Sequence, residues 1–248
     1  MILPIVINAK TISDAWFQLL FNIFDNSYTQ HIQSGSFEKE QYRLQYPGAA
    51  ISIEFPHLDM VPIIPEGLGI PSPTSQETIE NYFANYIMDP GLAENETYKY
   101  ASRIKKQMPS WAYQKTQLDM IIGILKRTPM TNQAVLEIAT PTDIVDCVGN
   151  DGKLDPPCLR LIDFKVLPMN FEPMGTVMVL TMSVYFRSWD LWAGLPTNLG
   201  GLELLKQYVA DECGLVNGPM YAYSSGLHIY GYQEDIARIR TFKRLGVK

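Results

Sequence analysis

The stretch at residues 177–186 constrains this chain more than any other. It is ten residues long and apolar, aromatic or β-branched except for Ser183. A run of that character reads as a buried strand, so the chain must build a sheet around it. Residues 134–138 and 159–166 read as further strands, separated by the turn-rich stretch 147–157. Residues 49–55 alternate as a half-buried strand does, and 221–223 and 227–230 are short candidates near the end.

Helical spacing accounts for much of the rest. Ile12, Trp16, Leu19, Leu20, Ile23 and Phe24 place a helix over about 11–26, behind Thr11 and Ser13 as possible caps. Thr74 and Glu77 have the spacing of a capping box, which opens a helix that Asp89-Pro90-Gly91 stops after about residue 88. A helix over 114–127 runs up to Thr128-Pro129, and Leu202, Leu204, Leu205, Tyr208 and Val209 mark another over 199–213, stopped by Gly214. Residues 56–73 are too rich in Pro and Gly for regular structure, and a long loop in a compact domain is often functional. The expected class is α+β, with helices packed on a mixed, mainly antiparallel β-sheet in a single domain spanning 1–248.

Composition narrows the function. With 248 residues, 46% of them apolar or aromatic, disorder is excluded and a sizeable core is available. No window approaches 18 uninterrupted apolar residues, and the first seven lack a basic region and a cleavage site, so the expectation is a soluble, cytoplasmic protein with no membrane partner. A net charge of −6 argues against a nucleic-acid polymer as partner, while leaving room for a small anion in a local basic pocket. Three cysteines and three histidines, none in a CxxC or HxxxH pair, point to neither a disulfide framework nor a structural zinc site. One reactive thiol remains possible.

Two segments carry more polar chemistry than packing requires. In Asp155-Pro156-Pro157-Cys158-Leu159-Arg160 a rigid double proline leads into a cysteine at the start of a strand. By itself this is either a turn with a small buried thiol or a positioned nucleophile. In the second, Arg187, Ser188, Asp190 and Asn198 fall within twelve residues at the end of the buried strand, which is either a polar turn with a structural Arg–Asp pair or a binding segment.

Pro156-Pro157-Cys158, then Arg187-Ser188-x-Asp190, Gly194-x-Pro196-x-Asn198 and Leu227-His228-Ile229-Tyr230 follow one another as in the thymidylate synthases. The wording Tyr185-Phe186-Arg187-Ser188-Trp189-Asp190-Leu191-Trp192 resembles the divergent archaeal-type branch in particular. The resemblance is dense from about residue 100 to 230. It implies that the Cys158 thiolate adds to C6 of a pyrimidine nucleotide and makes C5 the nucleophile towards a one-carbon unit on a reduced pterin. An ordinary thiol is only a few per cent ionised at neutral pH, so Arg187 is expected to favour the thiolate while binding the substrate phosphate with Ser188. Asn198 is expected to read the pyrimidine edge, and His228 with Tyr230, on one face of a strand, to hold the sugar hydroxyl. Asp190 and Gly194 match the pterin site. Tyr100 resembles a tyrosine that orders active-site water, and Glu80 a glutamate that moves protons at the base. Glu66 competes for the second role. Arg43, 37 residues before Glu80, resembles a phosphate-loop arginine.

The resemblance also exposes departures. An Arg-Arg pair that crosses the dimer interface in the family is Asn132-Gln133 here, the histidine after the nucleophile is Leu159, and the glutamine before Arg-Ser is Phe186. Tyr100 comes only 20 residues after Glu80, and only 18 residues follow Tyr230, so the resemblance leads to the expectation that a tryptophan-rich cofactor segment and a closing tail are missing. The expected activity is methylation of dUMP to dTMP by a homodimer, with 5,10-methylenetetrahydrofolate or methylene-tetrahydromethanopterin as donor. Hydroxymethylation of a pyrimidine nucleotide by water capture is the close alternative. A non-catalytic nucleotide-binding descendant comes next, and a Cys–His hydrolase based on His228 is a distant third.

Overall fold

The computed structural model describes residues 3–32, 41–92, 94, 96, 98–108, 115–149, 156–173 and 175–243. Its strands are β1 (Ile5–Ala9), β2 (Tyr28–His31), β3 (Tyr42–Gln45), β4 (Ala49–Ile53), β5 (Val135–Glu137), β6 (Leu159–Phe171), β7 (Gly175–Phe186), β8 (Trp189–Asp190), β9 (Val216–Ser224) and β10 (Leu227–Tyr230). The helices are α1 (Ile12–Asn26), α2 (Gln76–Tyr82), α3 (Ala101–Ile104), α4 (Gln117–Arg127), α5 (Thr142–Gly149), α6 (Gly194–Cys213) and α7 (Glu234–Arg240), with a π-helical turn, Phe83–Met88, directly after α2.

The class is α+β as expected, but the strands form two sheets rather than one. Six pair in the order β1-β4-β9-β7-β6-β5 and four in the order β2-β3-β10-β8. Both are mixed and mostly antiparallel; the parallel pairs are β1/β4, β7/β9 and β8/β10. Register explains why the larger sheet forms. Ile7, Ile51, Ala222, Val184, Ile162 and Leu136 are successive cross-strand partners and all are buried, so one inner row runs the width of the sheet. Each fully buried aliphatic side chain there stabilises the fold by about 1.5–3 kcal/mol. The next row, Val6, Ala50, Tyr223, Tyr185 and Leu161, points to the other face by the two-residue period of a strand. Helices α1 and α6 cover the inner face, with Trp16, Leu19, Leu20, Leu202, Leu205 and Val209 in the core.

Several boundaries move. Ser75, not Thr74, caps α2: its side chain accepts from the Thr78 N–H, while Thr74 Oγ1 bonds Thr197 Oγ1. Glu77 therefore closes no capping box. Helix α4 begins after Thr116, which forms a capping box with Asp119, rather than at 114, a residue outside the described ones. The largest correction is α6, which starts at Gly194 instead of 199 because the Asp190 carboxylate accepts from the N–H groups of Trp192, Ala193 and Gly194. Those donors have no partner within a helix, and a carboxylate in front of them also suits the helix dipole. Strands β1, β2, β3 and β8 and helices α5 and α7 were not anticipated, being short or weakly patterned. The Pro-rich segment 56–73 is irregular as expected, and it is tied down. Arg240 donates to the Ile63 carbonyl and stacks over Trp16 and Phe17, while Ser13 accepts from the Ile63 N–H.

Candidate active site

Cys158 lies half-buried just before β6, and its flanking backbone is held from two directions. The Arg187 guanidinium donates to the Pro156 carbonyl, and the Arg187 backbone N–H donates to the Cys158 carbonyl at 2.9 Å. The Leu159 N–H donates to the Tyr100 hydroxyl at 3.1 Å. Both braces follow from the fold, since Leu159 and Phe186 pair at the end of the β6/β7 hairpin and bring the second motif back against the first. Arg187 and Tyr100 thus both hold the backbone that flanks Cys158. Asp155, part of the same motif, lies outside the described residues.

Four tyrosines crowd the same place. Tyr82 stacks on Tyr86 at 5.3 Å, Tyr86 meets Tyr100 edge-on at 5.1 Å, and Tyr98 tilts against Tyr100 at 6.1 Å. Burial is the main cause that pushes the phenols of Tyr82, Tyr86 and Tyr100 above their ordinary value, and the Cys158 charge adds to it in each case. They are therefore neutral donors at working pH. Of the four, sequence reasoning named only Tyr100. The spacing Ile79, Tyr82, Tyr86 was the available signal, one helical face, and it reads equally well as packing.

The remaining residues fall into two groups. His228 and Tyr230 share a face of β10, their rings 4.8 Å apart at 85°, as strand alternation required. His228 is almost wholly buried; Nδ1 lies 2.8 Å from the Gly226 carbonyl and Nε2 has no partner. A carbonyl can only accept, so Nδ1 carries the hydrogen and Nε2 is left as an acceptor. Burial above all holds the imidazole below its usual pKa, with Arg43 acting in the same direction. Burial and then Asp190 push the Tyr230 phenol up to about 12. Arg43 is not in a loop: it lies on β3, opposite Tyr230 on β10, and donates to Gln30. Asn198, in the first turn of α6, accepts from Trp189 Nε1 at 2.9 Å, and Ser188 is half-buried just before Trp189.

Glu80 is not brought into this assembly. It is exposed on α2 and accepts from Gln76 at 2.8 Å; Glu66 is exposed in the Pro-rich segment. Asp190 and Gly194 do meet, but through the helix cap: a Cβ at position 194 would lie 3.2 Å from the Asp190 Cβ. Asn132 and Gln133 are exposed just before the edge strand β5. Among the described residues no cluster of His, Cys, Asp and Glu could hold a metal ion, and no helix is long and apolar enough to cross a membrane.

A braced cysteine, a polar strand-to-helix turn and a buried histidine on a mixed-sheet α+β frame form an enzyme's architecture. The fold is shared with the thermostable thymidylate synthase A from Bacillus subtilis, at a TM-score of 0.66 with 15% identity, covering 96% of this chain and 86% of that one. The family profile described as Thymidylate synthase matches residues 93–243. A protein of Methanosarcina barkeri named "Putative thymidylate synthase" is 30% identical over 231 residues, 93% of this chain and 92% of its own length. Its namesakes in Methanosarcina mazei and Methanopyrus kandleri are 28% and 23% identical over 93% and 94% of this chain. The chain belongs to the thymidylate synthase family, and so to the methyltransferase enzymes.

Proposed function

We propose that this enzyme transfers a one-carbon unit to C5 of a pyrimidine deoxynucleotide, converting dUMP to dTMP through a covalent bond between Cys158 and C6 of the base. The observation that carries this is the bracing of Cys158 by Arg187 and Tyr100, which serves positioning rather than core packing. A cysteine whose flanking backbone is fixed by an arginine and a tyrosine is suited to act as a covalent nucleophile once ionised. Adding the sulfur to C6 pushes the C5–C6 π pair towards C5 and O4, and C5 then bonds the one-carbon unit and loses its proton; a bound reduced pterin would supply that carbon, give up its carbon–nitrogen bond to it and provide the hydride that brings it to the methyl level, and expulsion of the thiolate restores the ring.

The neighbouring residues take matching roles. Arg187, a five-donor fork, can brace a carbonyl and grip a phosphate together with the adjacent Ser188, and Arg43 is a second candidate cation for that phosphate. His228 Nε2 accepts from a sugar hydroxyl, next to Tyr230. Glu80 drops out of the catalytic set because it is exposed and engaged with Gln76.

A reduced pterin fits near Asp190. Its carboxylate has about four lone-pair sites, of which three backbone amides use three, so one remains for a ring N–H. Tyr232, stacked on Tyr230 at 5.4 Å and raised in pKa by burial and then by Asp190, presents an exposed aromatic face there. The bound pterin, methylene-tetrahydrofolate or methylene-tetrahydromethanopterin, supplies the one-carbon unit. We place the enzyme in the cytoplasm, where a reducing milieu keeps Cys158 a thiol.

The test is mass spectrometry after incubation with 5-fluoro-dUMP and either methylene-pterin. A covalent ternary adduct is expected, lost in Cys158→Ala; absence of any adduct with pyrimidine nucleotides sinks the proposal. A 5-methyl rather than 5-hydroxymethyl product separates methylation from water capture.

A further inference from the structure

Pro156 and Pro157, which lead into Cys158, have no amide hydrogen, so only their carbonyls are available to fix this backbone by hydrogen bonds. Each is held by a different arginine: Arg187 donates to the Pro156 carbonyl, and Arg160 Nη1 donates to the Pro157 carbonyl at 3.2 Å. Arg160 occupies an irregular point of its strand. Leu159 pairs with Phe186 and Leu161 with Tyr185, so two steps along β6 match one along β7, and Arg160 is the extra residue of a bulge. Burial records the same break in alternation: Leu159 and Ile162 are both buried, while Leu161 between them is exposed. On the other side of β6 the Arg160 carbonyl accepts from the Ile138 and Ala139 N–H groups, which holds the bulge in place.

Arg160 is in turn held by Asp143, a buried carboxylate in the first turn of α5. Asp143 Oδ2 accepts from Arg160 at 3.2 Å and from the Thr140 N–H at 3.0 Å; Oδ1 accepts from Arg103 at 2.7 Å and from the Thr140 hydroxyl at 2.9 Å. A carboxylate has about four lone-pair sites, and these donors fill them. Burial opposes ionisation, but the Thr140 hydrogen bonds and then the Arg103 and Arg160 charges outweigh it and hold the carboxyl below its ordinary value. Arg103 lies on α3, three residues after Tyr100, whose hydroxyl accepts from the Leu159 N–H. One buried carboxylate therefore ties both sides of the cysteine together, through Arg160 to Pro157 before it and through α3 and Tyr100 to Leu159 after it.

We propose that Arg160 is a positioning residue for the Cys158 nucleophile and that Asp143 acts through it, holding the guanidinium on the Pro157 carbonyl so that the sulfur approaches C6 of the base in a fixed geometry. This rests on the pyrimidine C5-transfer reading and adds the device that aims its nucleophile. Stability alone gives no reason for the link to Pro157, since Arg103 and Thr140 already supply Asp143 with a counter-charge and three hydrogen bonds. What the bulged arginine adds is a grip on the residue directly before the thiol. Asp143, buried and filled by protein donors, is a second-hand participant: its loss misplaces the reacting sulfur without removing a contact to the nucleotide, and small misplacements of a reacting atom lower the rate of bond formation steeply.

The rate of 5-fluoro-dUMP adduct formation at saturating nucleotide, set beside the dUMP dissociation constant from titration calorimetry, separates positioning from binding. Arg160→Met should slow the adduct by about tenfold or more and leave the dissociation constant within about twofold. Arg160→Lys keeps the charge beside Asp143 but not the fork that spans carboxylate and carbonyl, so it should be slowed as well. Asp143→Asn should also slow the adduct, and combining it with Arg160→Met should cost less than the product of the two single effects, because both act along one path. A wild-type adduct rate in Arg160→Met, or in Arg160→Lys if Arg160→Met does not fold, overturns the inference even where the melting temperature falls, and leaves the C5-transfer reading standing. A loss that falls on the dissociation constant instead, or single effects that multiply in full, does the same. Absence of any adduct with the wild-type protein overturns both.

Discussion

His228 couples the site to pH through its burial. Its folded pKa lies below the ordinary 6.5, so the folded protein resists protonation that the unfolded chain accepts. Stability from this group is complete above pH 6.5 and is lost as pH falls through that value towards the folded pKa. A melting-temperature series from pH 7.5 to 5 should decline on the acid side, and His228→Gln should flatten it; equal slopes would refute the assignment. Tyr100 offers a second check. Tyr100→Phe leaves the Leu159 N–H buried without its acceptor, which costs about 1–3 kcal/mol in a denaturant titration, and it should lower the rate of adduct formation as Cys158 loses one brace. Cys158, Arg187, His228 and Tyr230 were legible in the sequence because local motifs carry them. Tyr82 was not, because what distinguishes it from a packing residue is the company of Cys158 and Asn198, 76 and 116 residues away.

At the scale of elements, α6 does the most. Its first turn carries Asn198, its Gly200 and Gly201 admit Ile79 and Tyr82 from the α2 side, and its middle buries a charged pair. Glu203 and Lys206 are both fully buried and 2.8 Å apart; Lys206 also donates to the Gly218 carbonyl, and Glu203 accepts from Asn217. The pair clamps α6 to β9. Burial dominates in lowering the Lys206 pKa, with Glu203 opposing it. Glu203→Leu alone strands a buried ammonium and should destabilise by about 3–5 kcal/mol, whereas Glu203→Leu with Lys206→Met should come within about 1 kcal/mol of the wild type or exceed it. Chemical denaturation of the two variants decides; equal losses would mean that the charges themselves are not the issue. The start of α6 was misplaced in the sequence by five residues because Gly194 and Pro196 read as helix breakers. Pro is tolerated in a first helical turn, and the Asp190 cap supplies what the periodicity lacks.

At the scale of the molecule, the larger sheet has one face under helices and another bearing Val6, Tyr223 and Leu161, which are 71%, 46% and 36% exposed. Contiguous apolar rows of this kind mark interfaces. A second copy of the chain is the occupant we propose, in line with the homodimer the resemblance implied. Tyr223→Glu, at the middle of the row, should shift the protein from dimer to monomer in light scattering while leaving its far-ultraviolet dichroism unchanged. A wild type that is already monomeric would remove the proposal.

The sequence by itself determined the α+β class, the main strands, the four motifs and the cysteine at their centre. These depend on residue type and short spacing, which act within a few turns of chain. Only the tertiary structure decided which of them meet. The β6/β7 pairing carries Arg187 to Cys158, the Asp190 cap moves Asn198 into a helix, and the Trp189 indole N–H holds the Asn198 side-chain oxygen. It also left Glu80 in solvent and packed Tyr82 against Tyr86 and α6. Contacts between residues far apart in sequence are set by packing and backbone pairing, and neither periodicity nor motif order encodes their geometry.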